Sequence, residues 1–260
     1  MRNSIGGIIA AVLVLSSNPA HAKWIDGSFT AGAMPVREHH CVPAAPGPHP
    51  AVVLLHGAAP KIGWGNPAFE KMCEELAADG YFTEFIEYYS QTGAVGPMHR
   101  VEMLEDTPVW LAEIKAGIGA MDKNPAVDPH RVAILGFSLG AYLALSAAAT
   151  DPEQIAAVAE YYGGLPKRLY PRCATMPPTL IIHGEKDILV PVSQAHSLDA
   201  ILTKYRRPHE MHIYPDANHA FNFSGIPFWY NAADARDAWT RTLKFLGEYL
   251  KNAGAGRAPR

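Results

Sequence analysis

The 260-residue sequence has few cysteines, no basic stripe and little apolar sequence long enough to matter to a bilayer. Its 22 Lys and Arg are scattered among 25 Asp and Glu, for a net charge of −3. With no run of basic residues, nucleic acid is not expected as a partner. Three cysteines, Cys41, Cys73 and Cys173, allow one intramolecular disulfide and leave one thiol over. The apolar run Ile5–Leu15 is too short to cross a bilayer, and no other run is longer, so no membrane span is expected.

What is present at the start is the layout of a secretory signal peptide. Arg2 gives a positive start, Ile5–Leu15 an apolar centre, and Ala20-His21-Ala22 a small-x-small cleavage pattern. There is no twin-arginine pair and no cysteine after the cut for lipid attachment. The expected division is a signal peptide at 1–22, one domain at 23–252 and a flexible tail at 253–260. An apolar content of 48% suits a globular domain with a substantial core. An exported chain allows one disulfide; the sequence does not say which two cysteines would pair, and if there is a pair, Cys41 with Cys173 is the one we assign. Cys73 lies in an apolar helical pattern and reads as a buried free thiol.

From residue 51 onward the pattern alternates between strand and helix. "AVVLLHG", "YFTEFIEYY", "RVAILGFS", "IAAVAEYYG", "PPTLIIHG" and "HEMHIYP" read as strands, mostly buried on both faces. Helical patterns separate them. One, from Met98 to Met121, is expected to be interrupted or bent near Pro108. Residues 26–43 add one or two edge strands. The implied fold is α/β: a mostly parallel, doubly wound sheet with helices on both faces. In such sheets reactive groups collect at the carboxyl ends of the strands.

Chemically useful residues fall at those ends. "GFSLG" places Ser138 directly after a strand, with Gly136 and Gly140 supplying the small residues that a nucleophile elbow requires. The amide of Leu139 would face a developing oxyanion from a helix N-terminus. "HGEKDILVP" places Asp187 after a later strand, and "PDANHAF" places His219 after the last. A serine hydroxyl needs a histidine to take its proton, and the histidine needs a carboxylate to hold its tautomer. "LLHGAAP" offers Ala58 as a second oxyanion donor. Asp216 and Glu185 are rival acids, with Asp216 read as a turn residue. His56 and His183, each before a glycine, read as structural. His39, His40 and Cys41 do not read as a metal site, because adjacent strand residues point to opposite faces. No cofactor is expected.

At these residues the chain resembles the dienelactone hydrolase family of the α/β-hydrolases. The resemblance spans about Pro50 to Leu250 and is carried by "RVAILGFSLGAYLAL", "AVAEYYGGLP", "PTLIIHGEKDILVPVSQAHSL" and "IYPDANHAFNF". It implies Ser138 as nucleophile, Asp187 as acid, His219 as base, and Ala58 and Leu139 as oxyanion donors. Two departures stand out. The founding members carry a cysteine where this chain has Ser138, and a glutamate in the first loop where it has "HGAA". The family's lactone-binding arginines are not evident: Asn222 stands where one would be expected nearby, and Arg100 is a substitute. Tyr161 and Phe221 are candidate substrate contacts. For Tyr161 and Tyr162 a place facing the site and a place in the core are equally open.

The expected function is a periplasmic or secreted serine esterase that cleaves small esters or lactones through an acyl-enzyme. The alternatives are a peptidase or amidase of the prolyl oligopeptidase type and a non-catalytic binding protein on the same fold. The segment 166–178 is expected to form a short loop over the site, and residues 221–234 either to line an apolar pocket or to dock the last helix. Oligomeric state is left open.

Overall fold

The computed structural model describes residues 23–59, 66–93 and 100–252, without the side chains of residues 66 and 100–105. The expected signal peptide and tail lie outside the described residues. Eight strands form one sheet: β1 (Ile25–Ala31), β2 (Met34–Cys41), β3 (His49–Leu55), β4 (Phe82–Ile86), β5 (Val127–Phe137), β6 (Ala157–Tyr161), β7 (Thr179–Gly184) and β8 (His209–Tyr214). Their spatial order is β1-β2-β4-β3-β5-β6-β7-β8. β1 and β2 form an antiparallel hairpin, β2 runs antiparallel to β4, and every pairing from β4 to β8 is parallel.

The helices are α1 (Asn66–Ala78), α2 (Arg100–Met121), α3 (Leu139–Thr150), α4 (Ser193–Lys204) and α5 (Ala232–Leu246). Because neighbouring strand residues point to opposite faces, the continuous apolar strands feed two cores. Ala51, Val53 and Leu55 of β3 pack with residues of α2, α3 and α4. Val52 and Leu54 pack on the other face with α1 and α5. The helix α3, "LGAYLALSAAAT", is slim enough to be buried on nearly all sides. The interruption expected at Pro108 is absent, since α2 continues through it.

The cysteine pairing differs from expectation. Cys41 is bonded to Cys73, with 5.7 Å between the Cα atoms, and Cys173 is the free thiol. Sheet faces explain it. Cys41 at the end of β2 and Cys73 on α1 share one core. Cys173 lies in the core of the opposite face, so the sheet separates it from Cys41. The apolar pattern around Cys73 is real, but it aims the sulfur at the end of β2.

Residues Lys167–Thr175 form a 3-10 segment whose Leu169, Tyr170 and Cys173 dock on the core beside α3. It is therefore fastened to the body by its side chains, not by backbone pairing alone. His39 is held between Asp26 (2.8 Å) and Glu87 (3.0 Å), and His40 bonds Glu38. Among the described residues no helix is long and apolar enough to cross a membrane.

Candidate active site

β5 ends at Phe137 and α3 begins at Leu139, so Ser138 alone makes the turn. Its φ of 54° and ψ of −116° lie outside the regions a side chain favours. Close packing holds it there. A Cβ on Gly136 would strike Gly140, and one on Gly140 would strike the carbonyl oxygens of Leu55 and His56. The Ser138 N–H donates to Tyr161 O on β6 (2.9 Å), while its carbonyl accepts the first turn of α3 from Ala141 and Tyr142. These contacts over-determine a conformation that costs about 1–3 kcal/mol in isolation.

The loops after β7 and β8 meet this turn. Ser138 Oγ lies 2.9 Å from His219 Nε2, and His219 Nδ1 lies 2.7 Å from Asp187 Oδ2. A carboxylate only accepts, so Nδ1 carries the hydrogen and Nε2 is free to accept from the serine hydroxyl. The other carboxylate oxygen of Asp187 accepts the N–H groups of Leu189 (2.9 Å) and Val190 (2.8 Å). Burial works to raise the Asp187 pKa. The close contact of His183 Nε2 (3.4 Å) and hydrogen bonds from His219 and Val190 outweigh it and hold the group well below the usual carboxylate range.

Asn218 locks the two loops together. Its Oδ1 accepts the N–H of His219 (2.7 Å) and of Ile188 (3.2 Å). The Lys186 N–H donates to Ala217 O (3.0 Å), close to Gly184, where a Cβ would collide with the same carbonyl. Asn218 carries no motif signal beyond its place next to His219, and sequence reasoning missed it. The rival acids lie elsewhere: Asp216 pairs with Lys186 on the surface, and Glu185 is exposed.

Leu139 opens α3, and Ala58 follows the carboxyl end of β3, the strand next to β5. Leu55 is in register with Gly136, so the 56–58 turn and the Ser138 turn are neighbours. His56 is buried, stacked on Tyr88 at 4.0 Å between ring centroids.

The candidate substrate contacts fare differently. Tyr161 does not reach the serine: it is buried and hydrogen-bonded to Thr242 of α5 (2.7 Å). It forms one wall of a cavity of about 430 Å³ between α1, α5 and residues 222–225, which none of Ser138, Asp187 and His219 lines. Phe221 is also fully buried, packed against Tyr162 and Tyr214. Tyr161 follows the alternation of β6 into the α1–α5 core, and Phe221, in the turn after His219, packs into the same core rather than the site. The side chain of Arg100 lies outside the described residues. Tyr162 is the tyrosine that meets the site. Its ring lies 4.6 Å from that of His219, and its hydroxyl donates to Asn222 Oδ1 (2.7 Å). In the segment after His219, Trp229 approaches the His219 ring edge-on (6.4 Å), and Phe228 is 96% exposed. Asn231 caps α5, so this segment both borders the site and docks the last helix. Among the described residues no cluster of three or more His, Cys, Asp or Glu side chains is placed to hold a metal.

Comparison with known proteins places the chain by family and fold. The sequence profile of the dienelactone hydrolase family matches residues 36–250. A protein of Escherichia coli (strain K12) named "putative carboxymethylenebutenolidase" is 29% identical over 220 residues, 78% of each chain. The structure of a dienelactone hydrolase-like promiscuous phosphotriesterase from metagenomic libraries superposes with a TM-score of 0.75. It is 20% identical, with 88% of this chain and 98% of that one covered. The acylaminoacyl peptidase of Pyrococcus horikoshii gives a TM-score of 0.73 at 16% identity. The match takes in 90% of this chain but 43% of the peptidase, and at that identity it shows a shared fold alone. An α/β-hydrolase sheet, matched over nearly all of its strands by one family profile, makes this chain a member of the dienelactone hydrolase family.

Proposed function

We propose that this protein is a serine hydrolase that cleaves small carboxylic esters or lactones through an acyl-enzyme. The carrying observation is the hydrogen-bonded series Ser138 Oγ, His219, Asp187 at 2.9 and 2.7 Å. In this reading His219 Nε2 takes the hydroxyl proton as Ser138 attacks the acyl carbon. The amides of Leu139 and Ala58 receive the oxyanion, each worth roughly 3 kcal/mol of barrier. His219 then gives its proton to the departing alkoxide, or to the ring oxygen of a lactone. A water activated by the same nitrogen releases the acid. Asp187 keeps Nδ1 protonated and stabilises the imidazolium. The names of relatives favour carboxylic substrates, and the serine fits them without the thiol-controlling glutamate of the founding members.

Replacing Ser138 with Ala is expected to lower kcat/KM for p-nitrophenyl acetate by at least about a thousandfold. A fluorophosphonate probe should add its mass to the peptide containing Ser138. Hydrolysis that survives the substitution, or labelling elsewhere, would overturn the reading. Export to the periplasm or medium belongs to the same proposal. It is supported by the N-terminal pattern of residues 1–22 and by a Cys41–Cys73 bond of the kind that persists in oxidising compartments.

A further inference from the structure

The cavity walled by Tyr161 takes no part in the reaction at Ser138. Its volume of about 430 Å³ falls within the span of small-molecule sites, roughly 300–1,000 Å³. Two helix faces and one loop enclose it. Ala68, Lys71, Met72 and Glu75 recur at three- and four-residue intervals and so share one face of α1. Ala235 and Trp239, four apart on α5, line it with Arg236. Asn222 and Phe223 close it from the segment after His219.

The walls are already fixed. The Tyr161 hydroxyl is spent on Thr242 (2.7 Å), so what this residue has left to offer the cavity is apolar ring. Phe223 is buried against Phe137 (5.3 Å between ring centroids) and Phe69 (5.8 Å). Asn222 Oδ1 accepts the Tyr162 hydroxyl (2.7 Å), which pins the amide. Its Nδ2 donates to nothing among the described residues.

Three charged side chains line the cavity: Lys71, Glu75 and Arg236. Lys71 and Glu75 lie 3.6 Å apart and offset each other. Arg236 is exposed and forms no ion pair among the described residues, although Asp234 and Asp237 flank it on α5. Both of those carboxylates are committed. Asp234 Oδ2 accepts from Asn231 Nδ2 (2.7 Å), and Asp237 Oδ2 from the Tyr214 hydroxyl (2.7 Å) and Arg241 Nε (2.6 Å). One guanidinium is therefore left over beside a cavity walled by aromatic rings. Its planar fork of donors matches a carboxylate, and one spare cation matches a monoanion. We propose that this cavity is a second binding site, for a small aromatic monocarboxylic acid. The ring of the acid lies among Tyr161, Phe223 and Trp239, and its carboxylate is held by Arg236. The inference does not depend on the reading of Ser138, Asp187 and His219.

Benzoate is the probe, and benzamide is its neutral match. Titrated into the full chain in a calorimeter, benzoate should bind saturably, with a Kd below about 1 mM. Benzamide should bind about tenfold more weakly or worse, because it cannot form the charged bond. Arg236→Gln should weaken benzoate binding by a similar factor and leave p-nitrophenyl acetate hydrolysis unchanged. In the wild type, the indole ¹⁵N–H signal of Trp239, assigned by its loss in Trp239→Phe, should shift with the midpoint that calorimetry gives. Absence of saturable binding, equal affinity for benzoate and benzamide, full affinity in Arg236→Gln, or an unmoved Trp239 signal would each overturn the proposal. A Ser138 that takes no fluorophosphonate would end the esterase reading and leave this binding untouched.

Discussion

Ser138 turns the chain in a backbone conformation that it holds only because nothing around it can move. Gly140 is the tightest part of that constraint, lying against the carbonyls of Leu55 and His56. Gly140→Ala is expected to push α3 off β3, destabilising the fold by about 1–3 kcal/mol and displacing the serine hydroxyl from His219. A lowered melting temperature with lost fluorophosphonate labelling would show it. Asp187 makes a pH prediction of definite sign. Its folded pKa is depressed, so its contribution to stability is complete above about pH 4 and disappears as pH falls toward the folded value. Acid unfolding of Asp187→Asn should accordingly be less steep below about pH 4 than that of the wild type. Ser138, Asp187 and His219 were readable because each sits within a few residues of a strand end, where a local pattern of glycine and apolar residues marks the place. His183, before a glycine, gave no sign of its contact with Asp187, which depends on how two loops fold back.

The elements carry their own tensions. α2 buries Glu113 completely; one oxygen accepts the Gln91 N–H (2.9 Å) and the other has no partner among the described residues. Burial pushes its pKa up to about 7. The unfolded chain releases this proton near pH 4, so between there and about 7 the native state binds more protons and stability falls as pH rises. Glu113→Gln should flatten that slope and stabilise the protein at pH 8, as read by melting temperature across pH. The disulfide acts on α1 and β2. Removing it, as Cys41→Ser with Cys73→Ser, should cost about 2–4 kcal/mol for a loop spanning 32 positions. Helices and strands were legible from their period, but this pairing was not. Periodicity shows that Cys73 is buried; only the strand order shows which face of the sheet buries it.

At the scale of the whole molecule, alternation from residue 51 onward was enough to give a parallel sheet with two cores. The order of its strands was not in the pattern, because each crossover passes over a face that sequence does not name. Tyr161 and Phe221 illustrate the loss: Tyr161 ends a strand beside Tyr162 and Phe221 closely follows His219, yet both are drawn into the α1–α5 core. If the chain is exported as proposed, N-terminal sequencing of the mature protein should begin at Lys23, and an uncut Met1 would contradict it.

Cys173 gives the molecule a use as its own gauge. It is the only cysteine outside the disulfide, it is enclosed beside α3, and burial pushes its thiol up to about 11. A thiol-reactive dye at neutral pH should therefore pass over every closed molecule and mark each one that opens, so the rate of dye uptake counts openings of the α3 side directly, without denaturant and without substrate.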